Sequence, residues 1–263
     1  MSLTEQQIDV FFEQGWIVLP GVFSAAEMAE ARAAFERLHR TAQDLRTTQN
    51  HRGAYFVLGG EPAGEVTVKR IVWAGGAEPY LLELSSDRRL LEPALQLLGS
   101  ASCEQLLCQA HFKMPHDGVS FDWHQDIQHR DKGPGTWRDL NGLGSYVQTI
   151  TLIDEMTVDN GPLKFIPKQA VRADTDGRVF GAHYDYGTPM SSGDIAAQFD
   201  ESAAVTVTGG AGSVLLFGPY AVHGSTSNES DMPRRVLING YAYPGANGRI
   251  YPGEGSGRML ELA

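Results

Sequence analysis

The sequence contains only two cysteines, Cys103 and Cys108, among its 263 residues. Two thiols cannot form the disulfide framework of a small secreted protein, so we expect reduced, inert cysteines and a cytoplasmic location. Long apolar runs are also missing, because no stretch approaches the roughly 20 residues that a membrane-spanning helix needs. The opening residues, MSLTEQQIDVFFEQGW, carry acidic instead of basic side chains. We therefore do not expect a secretory signal.

Positive charge is scarce as well: 21 Lys and Arg face 32 Asp and Glu, for a formal net charge of −11. Nucleic acids and anionic membranes are bound by basic surfaces, so neither is expected as a partner. We expect a small-molecule ligand and a monomer or homodimer. With 42% hydrophobic and 20% charged residues, the composition is that of a globular protein. No Pro/Ser-rich linker interrupts the chain, which predicts one domain over residues 1–263.

Helical signals dominate the first hundred residues. Two pairs have capping-box spacing, in which side chains at a helix start satisfy free backbone N–H groups. These pairs are Thr4 with Gln7 and Ser24 with Glu27. The predicted elements are a short helix after Thr4, a strand at 16–19, a helix from Ser24 to about His39, and a helix over Leu90–Leu98 that Gly99 ends. Residues 41–65 are polar and glycine-rich, and we predict a loop there.

The pattern changes after residue 100, where runs rich in Val, Ile, Thr and aromatic residues alternate with turn residues. The predicted strands are Leu106–Met114, Ser145–Ile153, Leu163–Ile166, Ala204–Val207, Ser213–Phe217 and Val236–Tyr243. Helices followed by strands, without βαβ alternation, indicate an antiparallel architecture. We predict a mainly β fold with flanking helices: N-terminal helices over about 1–100 and a double-stranded β-helix, the cupin-like jelly roll, over about 101–245.

The stretch FDWHQDIQHRD, residues 121–131, concentrates possible metal ligands. His124 and Asp126 are two residues apart, so an extended backbone would point both to one face. Two histidines and one carboxylate form the facial triad of non-haem Fe(II) oxygenases. His223, after a predicted strand and a Gly-Pro turn, is the best third ligand, since His129 is too near in sequence to fold back easily. A lone His-x-Asp is more often a surface ion pair, so the prediction depends on the combination.

The combination resembles the phytanoyl-CoA dioxygenase family: WHQD, then HGS almost a hundred residues later, then Arg234 eleven residues after His223. The segments FFEQGWIVLPGVFS, VDNGPLKFIPKQAV and GSVLLFGPYAVHGSTSN extend the resemblance over most of the chain, although Lys168-Gln169 replaces the usual Gly-Ser. Within the family, the sequence is most similar to the bacterial ectoine and proline hydroxylases. The resemblance implies a dioxygenase that uses Fe(II), 2-oxoglutarate and O₂ and releases succinate and CO₂.

Carried over to this sequence, the resemblance implies that His124, Asp126 and His223 bind Fe(II). It also implies that Arg234 binds the distal carboxylate of 2-oxoglutarate, as a buried carboxylate needs a charged partner. Further contacts to 2-oxoglutarate are implied for Ser225, Gln109 and Lys113, the last replacing an Asn of the ectoine enzymes. Arg235, on the opposite face of its strand, is expected to face solvent. The carboxylate at position 126 favours hydroxylation, desaturation or ring closure over halogenation.

The substrate is the part of the function that the sequence determines least. The basic loop after the motif is expected at the mouth of the barrel, where loops shape pockets. The candidate substrate-binding residues are Arg130, Arg138, Gln148, Trp123, Arg70 and Tyr55. For each one alone, a solvated surface position or a place in the core is an equally good explanation. We expect a small polar, amino-acid-like or natural-product substrate. Two alternatives stay open: the same chemistry on an acyl-CoA or phosphonate, and a non-oxygenase jelly-roll protein that binds zinc or no metal.

Overall fold

The computed structural model describes residues 2–60, 66–171 and 199–262. Its α-helices are α1 (Glu5–Gln14), α2 (Ala25–Leu45), α3 (Pro79–Ser85), α4 (Arg88–Leu98) and α5 (Ile127–Arg130). Its strands are β1 (Trp16–Leu19), β2 (Gln49–His51), β3 (Ala54–Gly59), β4 (Thr67–Val72), β5 (Ser102–Lys113), β6 (Phe121–His124), β7 (Tyr146–Leu152), β8 (Leu163–Phe165), β9 (Val205–Thr206), β10 (Val214–Phe217), β11 (His223–Ser225), β12 (Arg234–Ala242) and β13 (Arg258–Glu261).

The strands form two antiparallel sheets. In the described part of the chain, the larger sheet has the order β1-β10-β7-β12-β5-β4-β3-β2, and β13 pairs with β5 beside this path. The smaller sheet has the order β6-β11-β8-β9. Strands distant in sequence are therefore neighbours, as in a jelly roll. The prediction of a mainly β, jelly-roll fold with flanking helices is confirmed.

Strand β12 shows how the larger sheet separates two apolar layers. Leu237 packs in the core between this sheet and the helices, whereas Val236 and Ile238 pack in the core between the two sheets. Side chains along a strand alternate between its faces, so Arg234 belongs to the inner face and Arg235 to the helix side. The space between the sheets is thus where the inward-facing polar side chains meet.

The helices cover the outer face of the larger sheet. Both predicted capping boxes are present: the side chains of Thr4 and Ser24 accept hydrogen bonds from the backbone N–H groups of Gln7 and Glu27. Such caps stabilise a helix by about 1 kcal/mol each. Helix α2 buries Phe35 and Leu38 against the sheet. No helix in the described ranges is long and apolar enough to cross a membrane.

The prediction of a loop over residues 41–65 is wrong for its described part. Helix α2 continues to Leu45, and β2 and β3 form a hairpin whose two-residue turn is Arg52-Gly53. Both turn residues have positive φ angles, 48° and 74°, which is the geometry that matches the twist of a hairpin. Ala54 and Phe56 of β3 are fully buried. The segment is polar overall but therefore contains a short strand in which buried and half-buried side chains alternate. Residues 61–65 lie outside the described residues.

The first hundred residues are consequently not only helical. Strand β1, which the sequence predicts, joins the larger sheet beside β10. Strands β2, β3 and β4 extend the same sheet on its other side through the contact of Ile71 with Ala110 of β5. Strands β4 and β13 and helix α3 are not predicted from the sequence. Pairing with β5, which depends on the tertiary fold, stabilises β4 and β13.

Candidate metal centre

Three side chains from two neighbouring strands and the turn after one of them converge between the sheets. In β11, His223 is paired with His124 of β6, and the two ring centroids are 4.2 Å apart. Asp126 follows β6 by two residues. One potential ligand atom from each of His124, Asp126 and His223 lies within 4.8 Å of the others. These are the three residues that the sequence suggests as metal ligands.

Hydrogen bonds fix which nitrogen each histidine offers. The Nδ1 atoms of His124 and His223 lie 2.7 Å and 2.9 Å from the carbonyl oxygens of Asp122 and Ala221. A carbonyl only accepts hydrogen bonds, so each Nδ1 must carry a proton and donate. Each Nε2 then keeps its lone pair for a metal ion. Backbone carbonyls commonly orient metal-binding histidines in this way.

Asp126 reaches the site by a route that strict alternation along a strand does not describe. Strand β6 ends at His124, and Asp126 has helical angles (φ −64°, ψ −26°) at the start of α5. Its carboxylate is buried, and Oδ2 has no hydrogen-bond partner in the described part of the chain. A buried, unpartnered carboxylate oxygen is costly. A divalent cation at the triad would supply the missing partner.

The charges of these groups suit a metal ion. Burial lowers the pKa of His223 to about 3, so its imidazole is neutral near pH 7 and its lone pair is free. Burial acts to raise the pKa of Asp126, but the neighbouring His223 and then Arg130 outweigh this effect and lower the pKa overall. A neutral imidazole and an ionised carboxylate are the forms in which these side chains bind metals.

The triad opens into a cavity of about 330 Å³ between the sheets. Its polar and charged lining residues, besides the triad, are Arg70, Gln109, His111, His129, Arg130, Lys132, Gln148, Ser225, Arg234, Arg249 and Tyr251. Asp126 is the single acid among the described lining residues, although the whole chain is acidic. The cavity therefore favours anionic ligands.

Two buried cations lie at one end of the cavity: Arg234 lines it, and Lys113 lies behind the lining residue Ser225. Arg234 and Lys113 are paired residues of β12 and β5, and each side chain is nearly inaccessible to solvent. The Lys113 ammonium donates to Ser225 Oγ at 2.7 Å and to the Thr226 carbonyl. Arg234 donates to the Gly161 carbonyl at 2.6 Å, but its Nε has no partner among the described residues. This end can bind a carboxylate.

The structure places the other predicted site residues in two groups. Gln109, Gln148, Arg130 and Arg70 line the cavity. Trp123, Arg138 and Tyr55 are not among its lining residues. The Trp123 ring packs on Phe199, and its Nε1 donates to Glu201, while the exposed Arg138 donates to the Gly245 carbonyl.

Tyr55 is half-buried and lies opposite Val72 in the β3–β4 hairpin. Val72 itself lines the cavity.

The expectation that Arg235 faces solvent is wrong. Arg235 does lie on the opposite face from Arg234, but it is only 6% exposed. Its Nε and one terminal nitrogen donate to the two oxygens of Asp154 at 2.7 Å and 2.9 Å, and the other terminal nitrogen donates to Glu36 of α2. The outer face of β12 is covered by α2, and the helix supplies part of the charge that permits this arginine to be buried.

Several lining residues do not follow from the sequence. His129 is rejected as a ligand, and it is not part of the triad, but the turn of α5 brings its ring centroid within 5.6 Å of that of His124. Arg249 and Tyr251 lie beyond the predicted end of the β core at about residue 245. His111 lines the cavity from the inner face of β5. Side chains two residues apart on a strand point to the same face, so the spacing from Gln109 could have identified His111 as a lining residue.

Comparison with known proteins agrees with this geometry. The family model for phytanoyl-CoA dioxygenase (PhyH) matches residues 11–236. The ectoine dioxygenase of Bordetella bronchiseptica is 28% identical over 254 residues, which cover 91% of this chain and 75% of the relative. The L-proline trans-4-hydroxylase of Streptomyces griseoviridis is 25% identical over 260 residues, 92% of this chain and 88% of the relative.

A solved structure supports the same assignment. The crystal structure of EctD from S. alaskensis with 2-oxoglutarate and 5-hydroxyectoine matches with a TM-score of 0.69 and 25% identity, over 97% of this chain and 82% of that one. The matched segment of the family model spans most of the chain. The chain therefore belongs to the phytanoyl-CoA dioxygenase family, and it is an Fe(II)- and 2-oxoglutarate-dependent dioxygenase.

Proposed function

We propose that the enzyme hydroxylates an unactivated C–H bond of a small, amino-acid-like substrate and converts 2-oxoglutarate to succinate and CO₂. The observation that carries this proposal is that buried Arg234 lines the same cavity as the triad of His124, Asp126 and His223, with the buried Lys113 ammonium hydrogen-bonded to the lining residue Ser225. Metal ligands alone would also suit a hydrolytic site. A buried pair of cations beside them suits a cosubstrate with a free carboxylate.

The triad binds Fe(II) through two imidazole nitrogens and one carboxylate oxygen, which leaves coordination positions for a 2-oxo acid and for O₂. When bound, the iron supplies the activation of O₂ and the oxidative chemistry. The protein holds the ligands in place: the carbonyls of Asp122 and Ala221 fix the two histidine rings.

The far carboxylate of 2-oxoglutarate binds at the cationic end of the cavity. Arg234 offers an Nε–H without a partner among the described residues, and a guanidinium matches a carboxylate with two parallel hydrogen bonds. Lys113 adds a second charge and holds the Ser225 hydroxyl. Gln109, on the inner face of β5, is the fourth proposed contact. Burial of these groups makes each interaction stronger than it would be in water.

The substrate occupies the rest of the cavity, where Gln148, Arg130 and Arg70 line the wall. A volume of about 330 Å³, shared with 2-oxoglutarate, lies at the lower end of the range for ligand pockets. It has no room for a whole acyl-CoA. The named substrates of two relatives, ectoine and L-proline, are small and amino-acid-like. The apolar wall, including Ile150, Leu163 and Ile238, keeps water from the reacting carbon.

The test is anaerobic addition of Fe(II) and 2-oxoglutarate, followed by exposure to air with pools of amino acids, their derivatives and phosphonates. We expect a visible metal-to-ligand charge-transfer band that needs both additions. We also expect succinate formation that one pool stimulates, with a product one oxygen atom heavier than its substrate. Arg40→Met, an exposed change on α2, is the control and is expected to behave like the unmodified enzyme. If the band is absent and no pool stimulates succinate, the proposal is wrong.

A further inference from the structure

With iron and 2-oxoglutarate bound, the lining residues of the cavity still carry an excess of positive charge. A ferrous ion, the Asp126 carboxylate, the 2-oxoglutarate dianion and Arg234 together sum to zero charge. The remaining described cations that line the cavity are Arg70, Arg130, Lys132 and Arg249. In a chain of net charge −11, four further cations around one cavity are not a consequence of composition.

Arg130 is the buried member of this group. It is 4% exposed, and it lies over the ring of Tyr146, 4.6 Å from the centroid, and 5.4 Å from that of Tyr251. Among the described residues, its hydrogen-bond partners are the hydroxyls of Tyr146 at 2.8 Å and Tyr251 at 3.5 Å. Its Nε is buried and has no partner in that part of the chain.

A purely structural role does not account for these contacts. A buried arginine is normally paired with a carboxylate, because removing an uncompensated charge from water is costly. The two phenol hydroxyls are neutral, and burial raises the pKa of Tyr146 far above the neutral range. The acid that does act on Arg130 is Asp126, whose charge is committed to the metal. Arg235, also buried, shows the ordinary solution with its bond to Asp154.

Arg130 also lies away from the end that binds 2-oxoglutarate. The Tyr146 hydroxyl packs against the backbone of Gly240, and Gly240 is six residues along β12 from Arg234. At ~3.3 Å per residue, the two positions are separated by about 20 Å of strand. The far carboxylate of 2-oxoglutarate, which Arg234 binds, therefore cannot also be the counter-ion of Arg130.

We propose that Arg130 is the receptor for an oxyanion group, a carboxylate or a phosphonate, on the substrate. This inference rests on the proposed function and names its substrate class: small acids that retain a free anionic group. Tyr146 and Tyr251 hold the guanidinium in a fixed plane, and a planar fork is suited to two-point binding of an oxyanion. Arg249, whose guanidinium lies 5.0 Å from the Tyr251 ring centroid, adds positive charge next to Arg130, and the exposed Arg70 lines the same cavity.

The position of Arg130 limits the substrate further. Arg130 is four residues after Asp126, and α5 carries it one turn, ~6 Å, along its axis from the metal ligand. The oxyanion and the oxidised carbon are then separated by only a few bonds. Gln148 contributes to the same wall through its amide oxygen, which accepts a hydrogen bond from the Tyr146 hydroxyl at 2.7 Å. Its amide N–H₂ group is a donor for a second polar group of the substrate.

The first experiment uses sulfate as a minimal oxyanion. Enzyme reconstituted anaerobically with Fe(II) and saturating 2-oxoglutarate, which occupies the Arg234 end, is titrated with sodium sulfate in a calorimeter. We expect saturable binding, weakened by about tenfold or more in Arg130→Gln, as expected for loss of a charge-assisted contact. Arg40→Met is the matched arginine control. No binding to the unmodified enzyme, or equal binding in both variants, overturns the proposal.

The second experiment compares matched pairs: amino acids with their carboxamides, and phosphonates with their methyl esters. We expect succinate formation with the acid of a pair and a KM at least about tenfold higher for its neutral partner. In Arg130→Gln this preference disappears while the KM for 2-oxoglutarate is unchanged, a split that a merely structural role would not give. Equal turnover of both members, or a preference kept in the variant, contradicts the proposal. The carboxylate and phosphonate arms separate the two kinds of oxyanion.

Two further variants and the charge-transfer band complete the test. If Arg130→Gln does not fold, Arg130→Lys retains the charge but loses the planar fork, and Arg249→Met removes the neighbouring charge. Both are expected to weaken sulfate binding, and unchanged binding in both overturns the inference. The charge-transfer band of Fe(II) and 2-oxoglutarate separates the two proposals. Without the band, the proposed function fails. With the band but without preference for the acid, only the inference about Arg130 fails.

Discussion

Arg234 and Lys113 lie directly opposite each other on β12 and β5, and both are buried. Paired residues of neighbouring strands point to the same face, so both side chains lie on the inner face of the sheet, where Arg234 lines the cavity and Lys113 contacts the lining residue Ser225. Burial, and then the positive charge of Arg234, lower the pKa of Lys113 to about 7. Burial also lowers the pKa of Arg234 to about 10. The positive charge of Arg234 disfavours protonation of Lys113, and a bound anion relieves this repulsion.

We predict from this pair that 2-oxoglutarate binds more weakly as pH rises through neutrality. Below about pH 7 the Lys113 ammonium is protonated and attracts the cosubstrate, and above it the charge is lost. The dissociation constant of 2-oxoglutarate, measured anaerobically with Fe(II) from about pH 6.5 to 8.5, should increase. Because the bound dianion favours the protonated amine, the increase begins near the Lys113 pKa of the free enzyme and levels off at a higher pH, above the pKa of Lys113 in the complex.

The variant that isolates this effect is Lys113→Met. It should bind 2-oxoglutarate weakly at low pH and lose most of the pH dependence. Lys69→Met changes an exposed lysine of β4 and serves as the control. An identical pH profile in the Lys113 variant and the unmodified enzyme would show that Lys113 does not titrate against the cosubstrate.

The neighbours Arg234 and Arg235 are predicted to have opposite effects when replaced. In Arg234→Met, the affinity for 2-oxoglutarate should fall roughly 30-fold or more, because a buried charge pair is lost. Stability should change little, since the Arg234 guanidinium has an unpartnered Nε among the described residues. Both quantities can be followed by anaerobic titration and by urea denaturation.

In Arg235→Met, the order is reversed. Removing this guanidinium leaves the Asp154 carboxylate, 13% exposed, without its two-point partner. Breaking such a pair costs about 3 kcal/mol of unfolding free energy. The affinity for 2-oxoglutarate in the folded fraction should not change, because Arg235 faces α2 and not the cavity. A variant that keeps its stability would contradict the importance of the ion pair.

The contrast between these two arginines shows which features the sequence predicts and which depend on the tertiary fold. Alternation along a strand correctly separates Arg234 from Arg235, because it depends only on backbone geometry. It does not reveal what covers the outer face. Burial of Arg235 depends on helix α2, about 200 residues earlier, which supplies Glu36. Only the tertiary fold brings these residues together.

The same distinction holds within the motif that suggests the metal site. The residue types and spacing of His124 and Asp126 indicate the triad, although Asp126 reaches it through a helical turn instead of an extended strand. Strict alternation from His124 would place Gln125 on the opposite face, but Gln125 is buried, and its amide donates to the Tyr220 carbonyl. The basic loop is foreseen as a pocket wall, whereas the aromatic support of Arg130 by Tyr251, from beyond the predicted core, is not.

The metal site predicts different effects for two aspartates that are four residues apart, Asp122 in β6 and Asp126 at the start of α5. Asp126→Asn should lower succinate formation by at least about 100-fold, because an amide is a weak ligand for Fe(II). The apoprotein should unfold at an equal or higher temperature, since the change removes a buried charge whose Oδ2 has no described partner. The exposed Asp122→Asn should affect neither quantity. Retained Fe(II) binding in Asp126→Asn would remove Asp126 from the ligand set.

Gly240 offers a test of the wall that supports Arg130. Its φ angle is not in the left-handed region, so the backbone admits alanine, but an added Cβ would collide with the Tyr146 hydroxyl and ring. Gly240→Ala should destabilise the protein by about 1–3 kcal/mol through overpacking and displace the hydroxyl from Arg130. We expect a higher KM for the substrate and an unchanged KM for 2-oxoglutarate. Gly210→Ala, where a Cβ meets open space, is the control.

The double variant Gly240→Ala/Tyr146→Phe separates packing from positioning. Removing the hydroxyl relieves part of the collision, so the two losses of unfolding free energy should sum to more than the loss in the double variant. The substrate KM should not recover, because the bonds from Arg130 to the hydroxyl and from the hydroxyl to Gln148 are absent in both. A double variant that regains stability and substrate affinity together would mean that Tyr146 acts only by filling space. Stability that recovers alone would mean that the hydroxyl positions Arg130.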